Sequence, residues 1–159
     1  MKKDSRGFSL IELLIVVAII LIIAAIAIPN LLKSRMAANQ ASAVGSLRAI
    51  DTAEITYAST YNTGFSPTLA ALGPPASGNG SASAAGMIDS VLAAGSKAGY
   101  SFVYAATPDA GGHYNTYSVN ANPTTPGTTG TNYYYSDQTV VIRQNSTQQA
   151  AATDSPLGG

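Results

Sequence analysis

Residues 7–29 read GFSLIELLIVVAIILIIAAIAIP, and 19 of the 21 residues from Phe8 to Ile28 are apolar. The two exceptions, Ser9 and Glu12, lie near the start of the run. As an α-helix this run would be about 31 Å long, which matches the hydrocarbon core of a bilayer. The pattern therefore predicts a membrane-spanning helix at this end of the chain.

The residues on either side of the run suggest how it is oriented. Lys2, Lys3 and Arg6 precede it, and Pro29 follows it. Because positive charge favours the cytoplasmic side of a membrane, we expect a single-pass topology with the N-terminus in the cytoplasm and the rest of the chain outside. A proline cannot donate to the carbonyl four residues earlier, so Pro29 predicts a kink or local unwinding of the helix.

Two other interpretations of the apolar run compete with a functional spanning helix. Residues 25–27 have the A-x-A form of a secretory cleavage site, but the run is longer than the usual signal core of about 7–15 residues. A plain membrane anchor explains the length but gives no reason for Glu12. A carboxylate in a spanning helix costs about 2.5–3.5 kcal/mol and usually has a partner. Snorkelling of Glu12 to the membrane interface would be its simplest explanation.

The order GFSLIE at residues 7–12, after a short basic leader, closely resembles the class III signal of type IV pilins and pseudopilins. The resemblance covers roughly residues 5–35. It implies that a prepilin peptidase cuts between Gly7 and Phe8 and that Phe8 is then N-methylated. It also implies that Glu12 neutralises the Phe8 amine of a neighbouring subunit during assembly. Such a pair in a low-dielectric bundle is mutually stabilising and can fix the register of packed helices.

The same resemblance implies partners and a location. We expect a homopolymeric filament, a prepilin peptidase, an inner-membrane assembly platform and a separate assembly ATPase, with membrane lipid around the helix before assembly. The protein would begin in the inner membrane and end in a pilus or pseudopilus. Two functions stay open: a structural subunit of a type IV pilus, or a major pseudopilin of a type II secretion system. Neither function is enzymatic.

The composition divides the chain into five segments. Residues 1–7 form a leader, 8–29 the apolar helix, 30–62 an amphipathic continuation, 63–143 a head rich in loops and strands, and 144–159 a polar tail predicted to be flexible. The family commonly closes its C-terminal region with a disulfide, whereas this chain has no Cys.

Helical and strand periodicities predict how the head is built. Leu47, Ile50, Tyr57 and Tyr61 lie on one helical face, with Glu54 at a position where an apolar residue would belong. Short elements are predicted after that face: a helix at 87–94, strands at 100–105, 117–119, 133–135 and 139–142, and a polar loop at 123–130. An antiparallel sheet that covers the amphipathic half of the helix gives an α+β, pilin-like fold.

Several classes of site are not predicted. The chain has no Cys, one histidine (His113, in a glycine-rich turn) and no phosphate-loop or dinucleotide motif. Its net charge of zero gives no reason to expect nucleic acid as a partner. The resemblance to major pseudopilins suggests a calcium site. The candidates for its ligands are Asp109, Asp137 and Asp154. Their wide spacing predicts turn-forming aspartates instead, so we expect no cofactor and keep calcium as the alternative.

Overall fold

The computed structural model describes residues 8–158, which divide into two compact units, 8–35 and 36–158. Helix α1, Leu10–Tyr61, contributes to both units. It includes Pro29 without an interruption, so the chain is not locally unwound at that residue, while a kink there remains a prediction.

The second unit is the head, in which the rest of α1 is followed by short helices and a sheet. The elements after α1 are a 3-10 helix at Leu69–Leu72, α2 at Ser90–Ala93, and strands β1 (Ser96–Lys97), β2 (Tyr100–Pro108), β3 (Tyr114–Pro123), β4 (Tyr133–Asp137) and β5 (Arg143–Asn145). The strands form one antiparallel sheet in the order β1-β2-β3-β4-β5. This arrangement confirms the predicted α+β fold.

The predicted apolar face of α1 forms the centre of the head. Leu47 and Ile50 are fully buried and Tyr57 is 2% exposed. They belong to one hydrophobic cluster with the inward side chains of the sheet, which are Tyr100, Phe102, Tyr117, Val119, Ala121 and Tyr134. Side chains alternate between the two faces of a strand, so these alternate positions all face the helix.

Two short elements differ from their predictions for local reasons. The helix predicted at 87–94 is shorter because Asp89 caps it: Asp89 Oδ1 accepts from the Leu92 N–H at 2.9 Å, and α2 begins at Ser90. The strand predicted at 139–142 is wrong. Asp137 accepts from the N–H and the hydroxyl of Thr139 at 2.9 and 2.6 Å, which turns the chain, and pairing resumes only in β5.

The tail at 144–159, predicted to be flexible, makes hydrogen bonds to the head in the part that the structure describes, while its mobility stays a prediction. The Leu157 N–H donates to the Ile142 carbonyl at 2.7 Å, and the Gln144 N–H donates to the Ser155 carbonyl at 3.0 Å. Ala150 is buried and accepts a hydrogen bond from Asn120. The tail therefore covers the edge of the sheet with backbone hydrogen bonds, which a polar composition does not reveal.

Candidate assembly helix

Helix α1 begins with a local hydrogen bond that the sequence analysis did not foresee. Phe8 and Ser9 precede the helix, and the Ser9 N–H donates to Glu12 Oε2 at 3.0 Å. Ser9-x-x-Glu12 has the spacing of a capping box, in which the acidic residue of the first turn satisfies a backbone N–H at the helix start. Its carboxylate also lies where the helix macrodipole favours negative charge. The S-x-x-E spacing is the signal that could have predicted this contact.

The first half of α1 presents apolar side chains on every side. Leu10, Leu21 and Leu31 are each at least 62% exposed within this single chain, and the intervening isoleucines, leucines and valines are exposed in the same way. The helix is long and apolar enough to span a membrane. A contiguous apolar surface of this size is stable only when lipid or other apolar helices cover it.

Phe8 and Glu12 lie at the N-terminal end of this surface, and Pro29 lies near its other end. Gly7 lies outside the described residues, so the cleavage point is a sequence prediction only. Phe8 is 81% exposed, and Glu12 lies in the first turn of α1. Because the proposed contact of Glu12 joins two subunits, it stays a prediction. Within its own chain, the partner of Glu12 is the Ser9 N–H.

The other candidates from the sequence lie in the head and do not come together. Asp109 accepts from the N–H groups of Gly111 and His113, which hold the pKa of its carboxyl below the usual range. Asp137 caps the turn before β5, and Asp154 accepts from the side chain of Asn145 and the N–H of Ala151. Each aspartate therefore shapes its own turn.

A metal site or a catalytic histidine would give the head a chemical function. Among residues 8–158, no group of three or more His, Asp or Glu side chains is placed to hold a metal ion. His113 is exposed, and its backbone belongs to the turn between β2 and β3. The feature of the described chain that points to a function is thus the exposed apolar first half of α1, in which Glu12 is the one carboxylate.

Comparison with known proteins gives evidence that is independent of the geometry. Residues 2–28 match the family model of the prokaryotic N-terminal methylation motif. Over 50 residues the chain is 56% identical to the type IV major pilin protein PilA of Myxococcus xanthus, a match that covers 31% of this chain and 23% of that protein. Over 37 residues it is 62% identical to the type IV wide pilus major component PilA4 of Thermus thermophilus, covering 23% of this chain and 28% of that protein.

These matches confirm the resemblance that the sequence predicts. The N-terminal segment matches the prokaryotic N-terminal methylation motif, and part of the chain is similar to two type IV pilus components. The matched region spans only 23% to 28% of the length of the two relatives. No solved structure is significantly similar to the chain.

Proposed function

We propose that this chain is the structural subunit of a type IV pilus filament. It is inserted in the inner membrane through residues 8–29, with its N-terminus in the cytoplasm and its head outside. A prepilin peptidase removes residues 1–7, Phe8 is methylated, and the processed chain then polymerises with copies of itself. The subunit has a structural role and no catalytic one.

The observation that carries this proposal is the exposed apolar surface of α1 with Glu12 at its start. In the membrane, lipid covers the apolar side chains. In a filament, the same side chains are covered by the helices of other subunits, so one surface serves both states. Glu12 is then the polar group in an otherwise apolar bundle, and the methylated amine of Phe8 in a neighbouring subunit is the cation that would pair with it.

The sequence also indicates what the subunit obtains from partners. It has no phosphate-binding loop, so the energy for extraction from the membrane would come from a separate ATPase acting through an inner-membrane platform. The leader needs a peptidase that accepts a small residue at Gly7, where the backbone can be approached closely.

A pilus role is favoured over a pseudopilus role by the two relatives that part of the chain matches. Both matched relatives are named as major pilus components, in Myxococcus xanthus and in Thermus thermophilus. The major pseudopilin of a type II secretion system is the alternative function, because the methylation signal serves both kinds of filament.

Electron microscopy of sheared surface material tests the proposal. We expect filaments that contain this chain in the parent strain, none in a deletion strain, and recovery when the gene is restored. A deletion that leaves all surface filaments in place and instead abolishes secretion of folded proteins would overturn the pilus proposal in favour of the pseudopilin.

A further inference from the structure

Two carboxylates are buried in the head where α1 faces the sheet. Asp51 is 1% exposed and Glu54 is fully buried, and they lie one helical turn apart. Within residues 8–158 the one ion pair joins Lys97 and Asp89, so neither buried carboxylate has a cation within 4.0 Å. Two adjacent buried negative charges without a cation are costly, and one of them can avoid that cost by holding a proton.

The hydrogen bonds around Glu54 are compatible with a bound proton. Its Oε1 is 2.6 Å from the Tyr104 hydroxyl and 2.6 Å from the Ser66 hydroxyl, and its Oε2 accepts from the Ser66 N–H at 2.8 Å. Each hydroxyl also has a second acceptor. The Tyr104 hydroxyl is 2.8 Å from the Ser66 carbonyl, and the Ser66 hydroxyl is 3.1 Å from the Thr68 carbonyl.

These second acceptors allow the network to reverse. When Glu54 is ionised, both hydroxyls donate to Oε1. When Oε1 carries a proton, it donates to one hydroxyl, and that hydroxyl turns its own proton to a backbone carbonyl. Oε2 accepts from the Ser66 N–H in both forms. Both hydroxyls and both carboxyl oxygens of Glu54 therefore have a partner whether or not Glu54 is protonated.

The hydrogen bonds around Asp51 cannot reverse in this way. Its Oδ1 accepts from the Tyr117 hydroxyl at 2.8 Å and its Oδ2 from the Ser136 hydroxyl at 2.7 Å. In the described part of the chain, neither hydroxyl has another acceptor. A proton on Asp51 would face a donor on either side and leave one hydroxyl unpaired.

Burial is the largest cause that raises the pKa of Glu54, and the nearby Asp51 raises that pKa further. Hydrogen bonds from Ser66 and Tyr104 oppose this increase. Burial raises the pKa of Asp51 as well, against the bonds from Ser136 and Tyr117. The titratable groups around the two carboxylates are Tyr57 on α1, Tyr104 on β2, Tyr117 on β3 and Asp137 on β4. None of these groups supplies a positive charge.

We propose that Glu54 is the buried carboxyl that takes up a proton first as the pH falls, while Asp51 still carries its negative charge, so that α1 is held to the sheet more firmly in mild acid than in alkali. The direction follows from linkage. A carboxyl with a higher pKa in the folded state adds stability that is complete below its ordinary pKa of 4.5 and disappears as the pH rises through the folded value. The head is thus an element that acid strengthens and alkali loosens.

Infrared titration of the detergent-solubilised full chain tests where the proton lies, because a protonated carboxyl has a C=O stretch that a carboxylate lacks. We expect this band to appear in the folded parent as the pH falls below neutral, and to be lost in Glu54→Gln. Asp51→Asn removes a neighbouring charge and should lower the pH at which the band titrates. Tyr104→Phe removes a donor to the ionised form and should raise that pH. Glu12→Gln is the matched control and should leave the head band unchanged.

The outcomes separate the proposal from its alternatives. A band of the folded head that survives in Glu54→Gln but disappears in Asp51→Asn would place the proton on Asp51 and overturn the assignment. Absence of a band that Glu54 accounts for would mean that both carboxylates are ionised, which also overturns it. Thermal unfolding adds a second measurement: the midpoint should rise as the pH falls from about 8 to about 5 in the parent. If Glu54→Gln does not fold, the pH at which the band titrates in the other two variants still tests the proposal. A lower pH in Asp51→Asn together with a higher pH in Tyr104→Phe supports it, and shifts of both in the same direction overturn it.

Discussion

The Ser9 N–H donates to Glu12 Oε2 over 3.0 Å, so the carboxylate proposed to guide assembly also closes the first turn of its own helix. Two roles therefore meet in one side chain. The local role needs only an acceptor oxygen, which glutamine supplies as well as glutamate. The role between subunits needs a negative charge. Substitutions at Glu12 can separate the two.

Glu12→Gln should abolish most filament formation while the subunit remains in the membrane. The variant keeps the cap on Ser9 but leaves the Phe8 ammonium of the neighbouring subunit without its partner, a loss of about 3–5 kcal/mol for a broken buried pair. Membrane insertion should be unchanged or improved, because a charge leaves the span. Quantifying the subunit in sheared filaments and in membranes by immunoblot checks both statements.

Two further variants serve as comparisons for Glu12→Gln. Glu12→Ala loses the cap as well as the charge, and should match Glu12→Gln in its filament loss if charge is what matters. Ser9→Ala retains the backbone donor and should assemble almost normally. Normal amounts of filament from Glu12→Gln would contradict the assembly role and leave capping and snorkelling as the explanation of Glu12.

Processing gives a second prediction. Mass spectrometry of the mature protein should show Phe8 as the first residue, with one added methyl group. Gly7→Val should leave the uncut precursor in the membrane, because a branched side chain hinders the approach of the peptidase to the backbone. Ser5→Val, two residues earlier, is the matched control and should be cut. A mature protein that begins at Ile28 would instead establish the secretory signal interpretation.

The head should be separable from the apolar helix. A fragment that starts at Asn30 should be soluble and monomeric, because the face formed by Leu47, Ile50 and Tyr57 is already covered by the sheet. Its circular dichroism should show both helix and strand. Concentration-dependent aggregation of this fragment, measured by light scattering, would indicate that the sheet does not cover the face in solution.

The elements of the fold that the sequence predicted are those with a local periodic pattern. The apolar run needs only composition, the Leu47 face needs helical spacing, and β2 needs alternation. The strand predicted at 139–142 is wrong because the β-branched residues of that segment resemble a strand, whereas the chain turns there. A hydrogen bond from Thr139 to Asp137 overrides that preference.

The contacts that the sequence could not predict join residues far apart in the chain. Glu54 stands out in the sequence as a polar residue in an apolar face, but its partner Tyr104 lies 50 positions away. Asp51 gave no signal, and its contact with Ser136 spans 85 positions. At the N-terminus the methylation motif carries the assignment, whereas the pairing of Glu12 with another subunit depends on a contact that one chain does not contain.

Two glycines give a matched pair of stability predictions. A Cβ at Gly45, inside α1, would have nothing within 4 Å, so Gly45→Ala should stabilise the head by about 0.5–1 kcal/mol. A Cβ at Gly130 would overlap the hydroxyl of Tyr100, which is fully buried and donates to the Asn132 carbonyl. Gly130→Ala should therefore destabilise by about 1–3 kcal/mol. Urea unfolding monitored by tyrosine fluorescence measures both, and equal effects of the two variants would contradict this packing.

The C-terminal tail gives the final prediction, because the head has no disulfide to hold it. Hydrogen exchange should find the Leu157 and Gln144 amides protected, since they donate to Ile142 and Ser155. Asp154→Ala removes the acceptor for Asn145 and for the Ala151 N–H, and should cost about 1–2 kcal/mol and speed exchange at both amides.

The Phe102 amide is the control for that measurement, because it donates to the Gly95 carbonyl at the opposite edge of the sheet. It should keep its protection in Asp154→Ala if the tail opens by itself. Loss of protection at Phe102 as well would mean that the whole head unfolds when the tail is released, so the tail would be part of the cooperative core. If the Leu157 amide of the unmodified protein exchanged as fast as an amide in an unstructured chain, the tail would be as mobile as its composition suggests, and the hydrogen bonds to Ile142 would not hold it.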